Sequence, residues 1–397
     1  MARALWLAGA SGLAALSLLS ATTAAASTPR APHEHPPDPA SDEAGIWYAS
    51  DKAEAEARLS GDLDKDPALT AYVKQVECKV APEYCDEMRV YVLDRPFFNA
   101  MTAPNGYIEV WTGALLRARN EAELAFILGH ETSHYALNHS IEAARALKSR
   151  LNAVLPIGLL AAPFVGGLVL NIGYLGAVAS FEHYSREQEM EADRGGFDRM
   201  TRAGYDPSAT VDIWRGLIDE QAQSAFEKVR QQHARAGLFD DHPLDGVRME
   251  AMAALVKDHG KGDLGADRYR AAIRPHLPAL LRDDLRRRDY GETLFIIDRL
   301  MAGGADAGVL GYFKGECYRL RRGDGDAAKA VAAYETASTA PDAPPELWRD
   351  LGALYQQQHA ADKARAAYHA YLDRAPAASD RWLVEGALKT LDAREGT

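Results

Sequence analysis

The sequence predicts a mainly α fold with a small β-sheet, continued by an α-helical repeat array. Three patterns predict it. Apolar residues recur at helical spacing, as at Leu69, Tyr72, Val73 and Val76 after Pro67. Only two short runs, Met88 to Leu93 and Gly106 to Thr112, have the composition of strands. Beyond about residue 262 the chain turns to Ala, Leu, Arg and Asp with helical periodicity throughout. At 397 residues it exceeds one typical domain, and 47% hydrophobic with 26% charged residues excludes wholesale disorder. Lys+Arg is 45 against Asp+Glu 57, a net charge of −12, so the overall basic footprint of a nucleic-acid binder is missing.

Residues 1–26 read as an address. Arg3 is a positive n-region, Leu5 to Leu19 is apolar, and Ala24-Ala25-Ala26 is a small-residue cleavage pattern before Ser27. Export to the periplasm is the expectation. Residues 27–44, with Pro29, Pro32, Pro36, Pro37 and Pro39, read as a disordered linker. Cys78 and Cys85 bracket Pro82 closely enough to staple a loop in an oxidising compartment, and Cys317 is left as a buried thiol.

A folded region is expected over 45–262. Asn105-Gly106 is a turn signal ahead of the second strand. Asn120 with Glu123 is a capping-box pattern, opening a helix through Leu124, Ile127 and Leu128 past His134. Leu151 to Phe181 is 31 residues without a charge, broken by Pro156, Pro163 and five glycines. A second region is expected over 263–397. Trp348, Leu351, Gly352, Tyr355, Ala364, Tyr368 and Pro376 fall on tetratricopeptide (TPR) spacing. Gly315, Tyr318, Ala330, Tyr334 and Ala337 form a weaker copy with an insertion at Gly323 to Asp326, and Asp289 to Met301 resembles half a repeat.

Chemistry is concentrated in His130-Glu131-Thr132-Ser133-His134, an HExxH motif on the capped helix. The i,i+4 spacing puts both imidazoles on one face, where they can share a tetrahedral Zn²⁺. Glu131 follows the first of them and can serve as general base. A third histidine six residues beyond His134 is missing, because position 140 is serine. His139 is one place off and is expected to face away. A gluzincin arrangement instead takes an acidic ligand from a later helix, and Glu189-Met190-Glu191-Ala192-Asp193 supplies one 55 residues after His134. Spacing alone leaves Glu189 and Glu191 both open as ligand.

His130 to His134, with Ser185-Arg186 leading to Glu189-Met190-Glu191-Ala192-Asp193, resembles the signature of the zinc metallopeptidase family that contains HtpX and the CAAX prenyl endopeptidase. The resemblance implies a gluzincin-type zinc metallopeptidase domain with one Zn²⁺ per chain. It also implies that Glu189 is the third ligand and that Asp193 orients a ligand imidazole. Asn99-Ala100, the Pro104 to Gly113 stretch and Asn120 to Leu124 resemble the segments preceding HExxH in that family. His242-Pro243 with Arg248 resembles its downstream His-Pro element. The oxyanion needs a second donor besides the metal, and His242, Arg248 or a nearby Tyr are the candidates. His242 is equally a candidate for closing the metal's open position. An export signal and carboxy-terminal TPR spacing resemble the periplasmic, BepA-like branch, associated with outer-membrane protein assembly and quality control.

Hydrolysis of envelope proteins is the expected reaction, with assembly proteins as partners in the TPR groove. A TPR adaptor with a gated or vestigial zinc site is the alternative, and a nutritive peptidase would leave the TPR without a role. Residues 151–181 cannot cross a bilayer an odd number of times if His134 and Glu189 share one ion. Two crossings need about 40 apolar residues, so the segment dips into a membrane, lies on it or packs on protein. The Tyr107 to Trp111 run, if an edge strand, could align a substrate as an added strand.

Overall fold

The structure, a computed structural model, describes residues 30–32, 37–146, 149, 184–232 and 246–395. The expected signal peptide, the apolar segment 151–181 and His242-Pro243 lie outside the described residues. The first part comprises α1 (Asp42–Leu59), α2 (Pro67–Val80), strands β1 (Arg89–Leu93), β2 (Ala100–Thr102) and β3 (Tyr107–Trp111), then α3 (Thr112–Arg117) and α4 (Glu121–Ala136). Residues 139–146 are helical as well. Next come α5 (Arg186–Arg202), α6 (Ser208–Ala222), α7 (Glu227–Gln232) and α8 (Gly246–Lys257). The rest is helical: α9 (Ala266–Ile273), α10 (Leu277–Arg286), α11 (Tyr290–Met301), α12 (Ala307–Arg321), α13 (Asp326–Ala337), α14 (Glu346–Gln357), α15 (Ala361–Arg374) and α16 (Arg381–Glu395). Among the described residues no helix is long and apolar enough to cross a membrane.

Local chemistry sets these boundaries. Asp66 caps α2, its carboxylate accepting from the Ala68 amide at 2.8 Å, with Pro67 at the first helical position. The Asn120 side chain accepts from the Glu123 amide at 2.9 Å and opens α4. The Glu123 carboxylate reaches the Arg119 amide instead of the cap residue's own. The sheet runs β1-β3-β2, with β1 parallel and β2 antiparallel to β3. Tyr107 to Trp111 is therefore the central strand and not an edge. The edge strands are β1 and β2, and β2, three residues long, is too short to leave a sequence pattern. Gly106 turns the chain between β2 and β3 at φ +82°, where a Cβ would also meet the Glu87 carbonyl oxygen at 2.7 Å.

Two expectations near the amino terminus meet the structure directly. Cys78 and Cys85 are disulfide-bonded, with Cα atoms 4.6 Å apart, and Cys317 is fully buried. The stretch expected to be a disordered linker is partly docked. Arg30 is buried, its amide donates to the Ala136 carbonyl at 2.6 Å, and its guanidinium lies over the Tyr135 ring at 4.4 Å. A lone arginine among prolines carries no compositional signal for such docking, but carbonyl oxygens and an aromatic face suffice to hold it. Helix α1 begins at Asp42, capped by Ser41.

One continuous apolar core runs from Leu69 through Leu124, Phe197 and Leu281 to Leu391, so the helical array packs onto the first part directly. Within the array, Gly315 of α12 faces the Tyr334 ring of α13, and Gly352 of α14 faces the Tyr368 ring of α15. A Cβ at either glycine would run into the ring. The two pairings differ by three residues in spacing, and the turn at Gly323 to Asp326 takes up the difference.

Candidate metal and catalytic site

Helices α4 and α5 carry the site and cross almost backbone to backbone. A Cβ on Gly196 would sit 2.8 Å from the His130 amide nitrogen, and one on Gly129 would sit 3.1 Å from the Gly196 carbonyl oxygen. Close approach lets the short side chains of one helix meet those of the other. Helix α5 opens with a full capping box, Ser185 Oγ accepting from the Gln188 amide and Gln188 Oε1 from the Ser185 amide. Its buried face presents Glu189, Asp193 and Gly196 to α4 at helical spacing.

His130, His134 and Glu189 converge there, all buried, with candidate ligand atoms within 4.8 Å of one another. The two Nε2 atoms are 3.1 Å apart, and Glu189 oxygens lie 3.6 Å from His130 Nε2 and 3.5 Å from His134 Nε2. Ligands about 2.0–2.1 Å from a tetrahedral zinc are separated by about 3.4 Å. Donor chemistry and spacing both fit that ion.

Each ligand is itself held. His130 Nδ1 is 3.1 Å from Asp193 Oδ1. Arg248, fully buried, donates to Asp193 through Nε at 2.7 Å and another nitrogen at 2.8 Å, and forms an ion pair with Glu189 Oε2 at 2.7 Å. Burial pushes the Asp193 carboxyl up, but Arg248 and then His130 outweigh it and hold it at about 2. The structure thus places Arg248 on the two carboxylates behind the metal position, where it fixes their orientation.

His139 corrects the expectation that it faces away. It is fully buried, its Nδ1 lies 2.9 Å from His134 Nδ1, and its Nε2 lies 3.2 Å from Glu191 Oε2. Glu191, half exposed, is therefore turned to His139 and away from the His130–His134 pair. Tyr184 stacks on the His134 ring at 3.8 Å and meets Ser140 Oγ at 2.8 Å. Neither His139 nor Tyr184 has a sequence spacing that marks it.

In front of the metal position a cleft of about 340 Å³, open solvent included, is lined by His130, Glu131, Phe126, Trp214, Asn99 and Ala100. Glu131 thus stands at the cleft wall next to the first histidine, opposite the start of β2. Paired with β3 on one side only, β2 offers the cleft an edge.

An HExxH helix crossed by an acidic helix is an arrangement that metallopeptidases use, and the sequence relatives carry names of that class. Residues 65–256 match the family model of Peptidase family M48, and the chain carries a peptidase family M48 domain. Similar proteins include the beta-barrel assembly-enhancing protease of Yersinia pestis, 29% identical over 175 residues that make up 41% of this chain and 35% of that protein. The metalloprotease LoiP of Escherichia coli is 30% identical over 155 residues, 38% of this chain and 56% of that protein. The mitochondrial metalloendopeptidase OMA1 of Bos taurus is 28% identical over 177 residues, 42% of this chain and 32% of that protein. The chain spans about a third of the length of the beta-barrel assembly-enhancing proteases it matches.

Proposed function

We propose that this chain is an exported zinc endopeptidase acting on envelope proteins in outer-membrane protein assembly or quality control. The observation that carries the reading is the buried His130–His134–Glu189 trio with Glu131 beside it at the cleft. Support for the setting comes from the relatives named beta-barrel assembly-enhancing protease and from the signal-like residues 1–26. A disulfide between Cys78 and Cys85 suits an oxidising compartment. The paired helices with their glycine–tyrosine contacts support a TPR array as the docking part. The uncharged 151–181 stretch is the proposed membrane-facing segment.

Zinc bound by His130, His134 and Glu189 would supply Lewis acidity toward a peptide carbonyl and lower the pKa of the attacking water toward about 7. Glu131 takes the proton from that water and delivers it to the leaving amine. Asp193 accepts the Nδ1 proton of His130, which leaves the Nε2 lone pair free for the metal. Arg248 sits between the two carboxylates and offsets part of their mutual repulsion. The β2 edge aligns the substrate as an added strand, in place of the Tyr107–Trp111 run. His242 and Arg248 are the proposed oxyanion donors; the carboxylate contacts of Arg248 favour positioning as its role.

The test replaces the wild-type protein in cells with Glu131→Gln. Uncleaved envelope proteins should accumulate while the variant persists at wild-type level. Normal processing and assembly in those cells would favour the adaptor reading instead.

A further inference from the structure

The first helices of successive pairs, α10 and α12, enclose a groove of about 1250 Å³, open solvent included. Leu285, Tyr312 and Phe313 form its apolar floor, and four arginines line it: Arg282, Arg286, Arg288 and Arg322. In a chain of net charge −12 such a cluster runs against the average. Arg286 is satisfied by Asp283 at 2.5 Å. Arg282, Arg288 and Arg322 are exposed and make no side-chain ion pair among the described residues. Glu316, the acidic residue on the groove wall, is taken up by Arg319 and the Tyr334 hydroxyl.

Backbone geometry adds an independent observation. Arg288 and Arg322 sit just past α10 and α12, 34 residues apart, at φ +59° and +56°. His359 holds the equivalent position after α14 at φ +59°. A left-handed residue ends the first helix of each pair, a place where glycine or asparagine is sterically cheapest. Both turns at this groove instead carry an arginine, and both arginines line it.

We infer that this groove docks an acidic, aromatic- or leucine-bearing segment of a partner protein. Its carboxylates pair with Arg282, Arg288 and Arg322, and its apolar side chains rest on Leu285, Tyr312 and Phe313. An extended peptide fits, because alternate side chains would meet the charged rim and the apolar floor. The inference deepens the docking half of the proposed function and needs nothing from the metal site.

The test is fluorescence anisotropy of the whole chain with a short labelled peptide of alternating Asp and Phe, beside its Asn/Phe counterpart. The acidic peptide should bind, weaken steeply with salt, and outcompete the neutral one. Arg288→Gly and Arg322→Gly together should weaken binding at least tenfold and raise the melting temperature, since glycine relieves both turns. Arg288→Lys with Arg322→Lys keeps the charge and should recover most of the binding. Equal binding of the two peptides, or no loss in the glycine variant, would overturn the inference. So would preference for phosphatidylglycerol vesicles over the acidic peptide, which would make the groove a lipid surface. Binding is read without zinc or cleavage, so a failed peptidase reading would leave this result standing.

Discussion

His130 and His134 are held by different chemistry. Behind His130 stands a carboxylate locked by a buried guanidinium. Behind His134 stands a neutral imidazole. For His134 to present a free Nε2, its proton must sit on Nδ1 and be donated to His139 Nδ1. Burial depresses the His139 pKa below its usual 6.5, so that ring is neutral and its own proton lies on Nε2, facing Glu191. His139→Phe should therefore lower zinc affinity by about 10–100-fold in chelator competition, while His139→Gln, which keeps an acceptor, recovers part of it. Unchanged affinity in the Phe variant would refute the relay. Sequence spacing was enough to put His130 and His134 on one helix face, whereas the choice of Glu189 over Glu191 and the role of Asp193 rested on the family resemblance. Spacing misplaced His139 because α4 stops at Ala136 and Asn138 turns left-handed at φ +57°, which swings the next residue back toward His134.

The helix crossing depends on glycine. Gly196→Ala would push a methyl group to within 2.8 Å of the His130 amide, and the rigid backbone there has little room to yield. Separation of α4 and α5 should cost about 1–3 kcal/mol in denaturant titration and weaken zinc binding together with stability. Wild-type stability in this variant would show that the helices cross more loosely. A cap matters at the other end of α4, where Asn120→Ala should cost about 1 kcal/mol. Caps, turn and the two longer strands were legible in the sequence because their signals are local. Which strand occupies the centre was not, since β1 and β3 pair in parallel across the intervening hairpin and only tertiary packing decides that order.

The fold as a whole is tied together by charge as well as by core. Arg117 of α3, almost fully buried, donates to Glu220 of α6 at 2.9 Å and to Asp284 of α10 at 3.0 Å. Arg299 of α11 donates to the Arg117 carbonyl at 2.6 Å. Arg117→Met takes a guanidinium away from two buried carboxylates, of which Asp284 keeps Arg287 at 3.0 Å, and should cost about 3 kcal/mol, with the first part and the helical array loosening together in hydrogen exchange. Pairs so far apart in sequence leave no pattern to read, which is why the boundary near residue 262 looked like a plain junction. Stability should also depend on Glu77. Burial, only partly offset by Lys74 at 2.9 Å, raises its carboxyl from 4.5 to about 7. Between those values the folded state holds a proton that the unfolded chain has lost, so stability falls as pH rises through the window. Glu77→Gln should melt nearer to wild type at pH 5 than at pH 8, where the variant gains relative to wild type. An identical gap at both pH values would contradict the shift.

The proposed function stands or falls with a working zinc centre at His130, His134 and Glu189 and with Glu131 as its base. Zinc per chain and casein cleavage, measured together on wild type and Glu131→Gln, test it most directly. One zinc in each protein and cleavage by the wild type alone is the expected result. Absence of zinc from both, or cleavage that survives in Glu131→Gln, would contradict it.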